Sequence, residues 1–192
     1  MRNIVSKERI IVAITGASGH VYGIRLLETL RALDIETHLV MSKSAIVALA
    51  HETDLKLKDV HARADVVHGN EDVAAAISSG SFRTRGMIIA PCTTKTLGEI
   101  ASGACTTLVS RAADVTLKER RRLVLMVRET PLHLGHCRNM VAVTEYGAIV
   151  MPPVPAFYPK PKNIDEIVDH TVGRALDLFD LDSGRFKRWK EA

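Results

Sequence analysis

Cysteine, aromatic residues and long apolar runs are scarce in this chain, and each scarcity excludes something. The 192 residues contain three cysteines. Cys92, Cys105 and Cys137 form no CxxC pair, and no secretory-type apolar segment stands at the N-terminus, so a reducing, cytoplasmic setting is expected rather than a disulfide scaffold. Aromatic residues make up 4% of the chain and the formal net charge is only +4. That leaves too few stacking platforms and too small a cationic surplus to expect nucleic acid as a partner. No apolar stretch approaches the roughly 20 residues that span a bilayer, so no membrane partner is expected. The eight histidines include no HExxH and the acids no DDxxD, and no metal site is expected. With no internal repeat or low-complexity tract, residues 1–192 are expected to form one domain, with its core over 9–180 and a tail over 181–192.

What the chain does have is a glycine-rich turn after an apolar run. Ile10–Ile14 is short and wholly apolar, the pattern of a strand buried on both faces of a parallel sheet. Thr15-Gly16-Ala17-Ser18-Gly19 follows, small enough for backbone N–H groups to approach a ligand, and a helix beginning near Gly19 points its positive end at the same spot. The turn is expected to hold an anion, a phosphate above all. Its GxxGxxxG spacing, over Gly16, Gly19 and Gly23, is not the GxGxxG of dinucleotide binders. A tight turn without a ligand is the plainer alternative. The second strand, Glu36–Met41, ends in Ser42-Lys43 rather than in the carboxylate that would hold an adenosine ribose. A phosphorylated mononucleotide is therefore at least as good a candidate as NADP.

Further apolar runs at Gly86–Pro91, Leu123–Val127 and Ala148–Met151 alternate with helical patterns at Tyr22–Leu33, Ser44–Ala50, Lys95–Ala101, Thr107–Arg120, Cys137–Tyr146 and Ile164–Phe179. A short strand is expected around Asp65–His68, a surface loop over Gly69–Ser81, and no further structure is assigned to Leu55–Asp72. This alternation specifies the α/β class: a doubly wound, Rossmann- or flavodoxin-like parallel sheet with helices on both faces. Ligands of such sheets sit beyond the carboxyl ends of the strands. Those ends are Thr15–Gly19, Ser42-Lys43, Pro91–Thr96, Arg128-Glu129 and Met151–Tyr158.

Thr93, Thr94 and Thr96 can hold a polar part of a ligand, or one of them merely caps the helix that follows. Arg111, Asp114 and Lys118 lie near one helical stripe, where a salt-bridged edge is the commoner arrangement. Arg128-Glu129, directly after five apolar residues, sits at the mouth of the sheet and suits proton transfer beside an anion. Glu52 is a second candidate carboxylate. Arg174, at the edge of the last apolar stripe, either reaches inward past Tyr158 or snorkels.

The blocks TGASGHVYGIRLLETL, MSKSA, HETD, SSGSFRTRGMIIAPCTTKTLGEIASGA, RAADVTLKERRRLVLMVRE and PPVPAFYPKP resemble, in order, those of the UbiX-like family of phenolic acid decarboxylase components, the flavin prenyltransferases. The similarity runs from about Ile10 to Trp189. It implies FMN, used in its reduced form, at Gly16, Ala17 and Ser18, at Ser42, across Thr93, Thr94, Lys95 and Thr96, and at Arg128. It implies dimethylallyl monophosphate at Lys118, Tyr158 and Arg174, with Arg111 and Trp189 nearby, some of these supplied by neighbouring subunits of a homododecamer. Glu129 corresponds to the catalytic glutamate, Ser18 and Glu52 to supporting groups, and Lys118 to a cation assisting phosphate departure. The implied reaction, without metal, joins a dimethylallyl group to N5 and C6 of reduced FMN, and the product serves a UbiD-type decarboxylase.

Two departures stand out. Val73 occupies a position where some members have tryptophan, and Arg138, within Gly135–Met140, stands in place of an acid. The competing expectations are a non-catalytic FMN-binding accessory subunit of a hydroxyarylic acid decarboxylase complex, an FMN-dependent cysteine-type decarboxylase, whose PxMNxxMW block is absent, and a nicotinamide oxidoreductase.

Overall fold

The computed structural model describes residues 7–186 and 188–190. Its strands are β1 (Arg9–Ile14), β2 (Glu36–Met41), β3 (Val66–His68), β4 (Gly86–Cys92), β5 (Arg122–Val127) and β6 (Ile149–Val150). They form a single sheet in the order β3-β2-β1-β4-β5-β6, with every neighbouring pair parallel. Parallel neighbours require crossovers. The helices are α1 (His20–Ala32), α2 (Lys43–Glu52), α3 (Leu57–His61), α4 (Thr94–Ser102), α5 (Leu108–Lys118), α6 (Leu134–Glu145) and α7 (Ile164–Asp177).

The apolar runs are unbroken because each central strand buries both faces. Ile10, Val12 and Ile14 of β1 face a core layer with Leu26, Leu27 and Leu30 of α1 and Val168, Val172 and Leu176 of α7. Ile11 and Ala13 face the other layer, with Leu97 and Ile100 of α4 and Leu108, Val109 and Ala112 of α5. Strand β4 divides in the same way, Ile88 and Ala90 against Met87 and Ile89. At about 1.5–3 kcal/mol for each large aliphatic side chain fully buried, these two seams dominate the stabilisation of the sheet. Arg25 fastens α1 to α7 by bonding Asp165 and Asp169.

From β1 the chain winds outward through β2 to β3, then returns to place β4 on the other side of β1. In sheets of this kind, ligands occupy a crevice at such a reversal, beyond the strand ends.

The expected strands all form, and the differences are local. Helix α1 starts at His20, two residues earlier than the apolar stripe implies. Helix α6 starts at Leu134 because the His133 ring accepts the Gly135 N–H at 3.0 Å. Leu55–Asp72 contains α3, whose five residues are too few to show a helical period, although Val60 anchors it in full burial. The expected surface loop Gly69–Ser81 instead dips into the core through Ala75 and Ile77, around a 3-10 turn at Ala76–Ser78. Among the described residues no helix is long and apolar enough to cross a membrane.

Gly23 sets the distance between α1 and the sheet. A Cβ there would lie 2.4 Å from the Ala90 carbonyl oxygen and 2.7 Å from Ile14 Cγ1. A backbone oxygen in mid-strand cannot yield without moving β4. Gly23→Ala is therefore expected to cost about 1–3 kcal/mol and Gly23→Val more, read as lowered urea midpoints; unchanged midpoints would show that α1 is free to lift from the sheet.

Candidate active site

Thr15 ties the two lips of the crevice together. It is 1% exposed, and both its N–H (3.2 Å) and its hydroxyl (2.7 Å) donate to the Pro91 carbonyl. The same hydroxyl accepts the Thr93 N–H at 2.9 Å. The glycine-rich turn after β1 and the threonine-rich turn after β4 are thus one hydrogen-bonded unit.

The turn after β1 already meets an anion, the protein's own. Glu52, at the end of α2, accepts the Gly19 N–H (2.8 Å) and the His20 N–H (3.1 Å), capping α1 with a carboxylate. The His20 ring, fully buried, places Nδ1 3.1 Å from the same Glu52 oxygen and Nε2 3.0 Å from the Ala45 carbonyl. Burial alone would raise the Glu52 pKa; the Gly19 and His20 N–H groups, the His20 ring and the Ser18 hydroxyl outweigh it and hold the carboxyl below its usual value. Of the N–H groups at the start of α1, those of Gly19 and His20 are thus taken up by Glu52. Gly16, Ala17 and Ser18, before the cap, remain half-buried or exposed along the crevice. Gly16 passes close under α2, since a Cβ there would sit 2.4 Å from Ser44 Oγ.

Ser42 starts α2, its hydroxyl accepting the Ala45 N–H at 3.1 Å and lying 3.0 Å from Ser44 Oγ. After β4, Thr93 is the cap of α4: its hydroxyl accepts the Thr96 N–H (3.1 Å) and donates to the buried Thr96 hydroxyl (3.0 Å). Thr94 begins α4 half-buried. The Lys95 side chain turns along the helix to Glu99 at 3.0 Å. After β5, Arg128 and Glu129 are exposed, with the Arg128 N–H bonded to the Cys92 carbonyl at 3.1 Å and Glu129 accepting the Thr130 N–H at 3.0 Å. Cys92 itself is fully buried, and burial pushes its thiol up to about 12, which leaves it no thiolate for nucleophilic chemistry.

The remaining expected residues stand elsewhere. Arg111 pairs with Asp114 at 2.7 Å, and Lys118 bonds its neighbour Glu119. Lys118 ends α5 just before β5 begins, whereas Glu129 lies just past the end of β5. A six-residue strand separates them by roughly 17–20 Å. Arg174 pairs with Asp177 in the last turn of α7, and Phe179 beyond it packs at the strand starts beside Gly86 and Arg122. Tyr158 meets the Trp189 ring edge-on with centroids 5.1 Å apart, and its hydroxyl lies 2.8 Å from His170 Nε2. One protomer therefore assembles the crevice group, Gly16–Ser18, Ser42, Glu52, Thr93–Thr96, Arg128 and Glu129, while Lys118 and Arg174 lie toward the opposite edge of the sheet.

Three residues that organise these groups carry no sequence signal of their own: Thr15 as a strand-to-strand tie, His20 as the partner of Glu52, and His170 as the partner of Tyr158. Each acts through a contact distant in sequence.

The model of the Flavoprotein family matches residues 2–176. The flavin prenyltransferase UbiX of Thauera aromatica is 56% identical over 181 residues, which cover 94% of this chain and 93% of the relative. The crystal structure of AnUbiX (PadA1) in complex with FMN and dimethylallyl pyrophosphate superposes with a TM-score of 0.95 at 56% identity, covering 97% of this chain and 99% of that one. A dodecameric FMN-dependent UbiX-like decarboxylase from Escherichia coli O157:H7 superposes with a TM-score of 0.93 at 49% identity, over 95% of this chain and 100% of that one.

Because the folded Glu52 pKa is depressed, its contribution to stability is fully present above the unfolded carboxyl value and is lost as pH falls through the folded one. Glu52→Gln should lower stability at neutral pH by about 1–3 kcal/mol. The gap from wild type, followed by urea denaturation across pH, should close on acidification; a constant gap would show that charge has no part in the cap.

Proposed function

Because the chain belongs to the UbiX-like flavin prenyltransferases of the Flavoprotein family, we propose that it joins the dimethylallyl group of dimethylallyl monophosphate to N5 and C6 of reduced FMN, without a metal, for a UbiD-type decarboxylase. The observation that carries this is the division of the donor set. The crevice edge offers hydroxyls and N–H groups for a flavin phosphate, an exposed arginine and a carboxylate, Glu129, while cations for a second phosphate stand toward the other edge.

The crevice chemistry fits a flavin mononucleotide. The β2 end presents Ser42 and no carboxylate, Thr94 adds a hydroxyl at the start of α4, and the Thr15 tie holds both turns at fixed spacing. The flavin supplies the nucleophilic nitrogen and the aromatic carbon that become prenylated. Lys118, Tyr158 and Arg174 bind the phosphate and stabilise its charge as the carbon–oxygen bond breaks, so that the bonding pair leaves with the phosphate oxygen. Ser18, beside Glu52, supports the proton leaving N5; the prenyl double bond then takes up a proton as its far carbon joins C6, and Glu129 removes the proton from C6, so that one C5H8 unit is gained overall. Arg111 and Trp189 border the prenyl site.

Since Lys118 and Arg174 both lie toward the edge opposite Glu129 in their own protomer, the complete centre needs them from other copies. A homo-oligomer, dodecameric as the E. coli O157:H7 structure is described, supplies them. Closing the site between protomers excludes water from the allylic cation.

The test is anaerobic incubation with FMN, dithionite and dimethylallyl monophosphate, followed by mass analysis of the released flavin. The wild type should add one C5H8 unit. Glu129→Gln and Lys118→Ala should each lower turnover by about 10²-fold or more. Oligomers assembled from both variants should regain activity, because some centres then combine an intact Glu129 with an intact Lys118. FMN bound but unchanged, with monophosphate or pyrophosphate donor, would sink this function in favour of the non-catalytic accessory role.

A further inference from the structure

His170 is buried in α7, 8% exposed, with Tyr158 on one side and an open groove on the other. Its Nε2 is 2.8 Å from the Tyr158 hydroxyl, and the two rings meet edge to face at 81° with centroids 5.4 Å apart. Trp189 and Phe186 extend this stack, against Tyr158 and His170 respectively. The phenol is thereby held in one orientation. The groove, of about 420 Å³, is lined by Lys160, Lys162 and Arg185 with a single carboxylate, Glu166. Arg174 lies one helical turn from His170, and Asp177 beyond it is engaged by Arg174 and Arg188.

The groove thus carries three cations against one acid, and at the last turn of α7 two cations, Arg174 and Arg188, engage Asp177. The imidazole pKa is lowered, by burial first and then by Arg174, against a smaller opposing pull from Asp177. An arriving dianion reverses that balance.

We infer that His170 is a positioning residue that relays a proton through Tyr158 to the departing phosphate. While Nε2 carries no proton, the phenol donates to it and has no hydrogen for a ligand. A phosphate bound beside Arg174 and Tyr158 favours the imidazolium, which takes its proton from water in the groove. Nε2–H then donates to the phenol oxygen, and the phenol hydrogen turns to the phosphate. As the carbon–oxygen bond breaks, the phosphate oxygen keeps the bonding pair and takes the phenol proton, Tyr158 takes the Nε2 proton, and His170 returns to the neutral form. One proton passes and no redox change occurs. This rests on the phosphate site proposed above, and it assigns that site a group which no family block marks.

Two measurements separate the relay from the overall reaction. In the intact oligomer, NMR titration of the His170 imidazole, identified by its loss in His170→Gln, should move upward by at least about 0.5 unit on adding inorganic phosphate. In Tyr158→Phe it should move less. In turnover, the wild-type rate should fall as pH rises through the substrate-bound His170 titration. His170→Phe and His170→Gln should lose that limb and lower kcat by about 10²-fold with KM changed less than about threefold, Gln preserving the hydrogen bond to Tyr158. An imidazole that ignores phosphate, or a His170→Phe enzyme that keeps the wild-type pH profile, overturns the relay. A phosphate response without any flavin prenylation overturns the reaction and leaves the His170–Tyr158 coupling standing.

Discussion

A single buried hydroxyl joins the two halves of the crevice. Thr15 donates to the Pro91 carbonyl and accepts from the Thr93 amide, so the first residue past β1 and the first past β4 move together. In a doubly wound sheet these strands flank the topological reversal, where a ligand must fit. Losing the hydroxyl would leave the half-buried Thr93 amide without its bond, at a cost of about 1–3 kcal/mol, while the Pro91 carbonyl keeps the Thr15 N–H. Sheet packing fixes the strands; Thr15 fixes the spacing of the loops they carry.

Charge is organised around the same edge. Glu52 neutralises the positive start of α1 where the turn closes, and it stands behind Ser18 rather than across the crevice. The exposed cations are distributed differently. Arg128 is at the crevice, whereas Lys118 and Arg174 lie toward the strand starts. On the proposed function, a phosphate at the first turn and a phosphate at Lys118 belong to separate subsites, as two phosphorylated substrates require.

The fold was legible in the sequence because buried parallel strands leave unbroken apolar runs, and Ile10–Ile14, Leu123–Val127 and Gly86–Pro91 are such runs. Helix α3 was not, since five residues show no period, nor was the inward dip at Ile77, where one buried side chain in a polar stretch has no pattern around it. At the site, the strand-end rule located Ser42, Thr93 and Glu129 at one edge. It placed Lys118 apart, since Lys118 precedes the apolar run Leu123–Val127 whose far end carries Glu129, and nothing in one chain's sequence says that a second copy supplies it. His20 and His170 were unreadable for a different reason: their partners, Glu52 and Tyr158, are defined only by tertiary packing.

The Glu52 cap has a consequence for what happens between catalytic cycles. A protein that keeps its cofactor for life can let that cofactor organise the loops around it. On the function proposed above, the flavin is handed on, and such a protein must present a formed cavity to each newcomer, because every departure empties it. With Gly19 and His20 bonded internally, the turn holds its shape without a guest, and an incoming flavin has less disorder to overcome. The internal carboxylate also withholds those two amide donors from any phosphate at the turn, which on the proposed function trades grip for release.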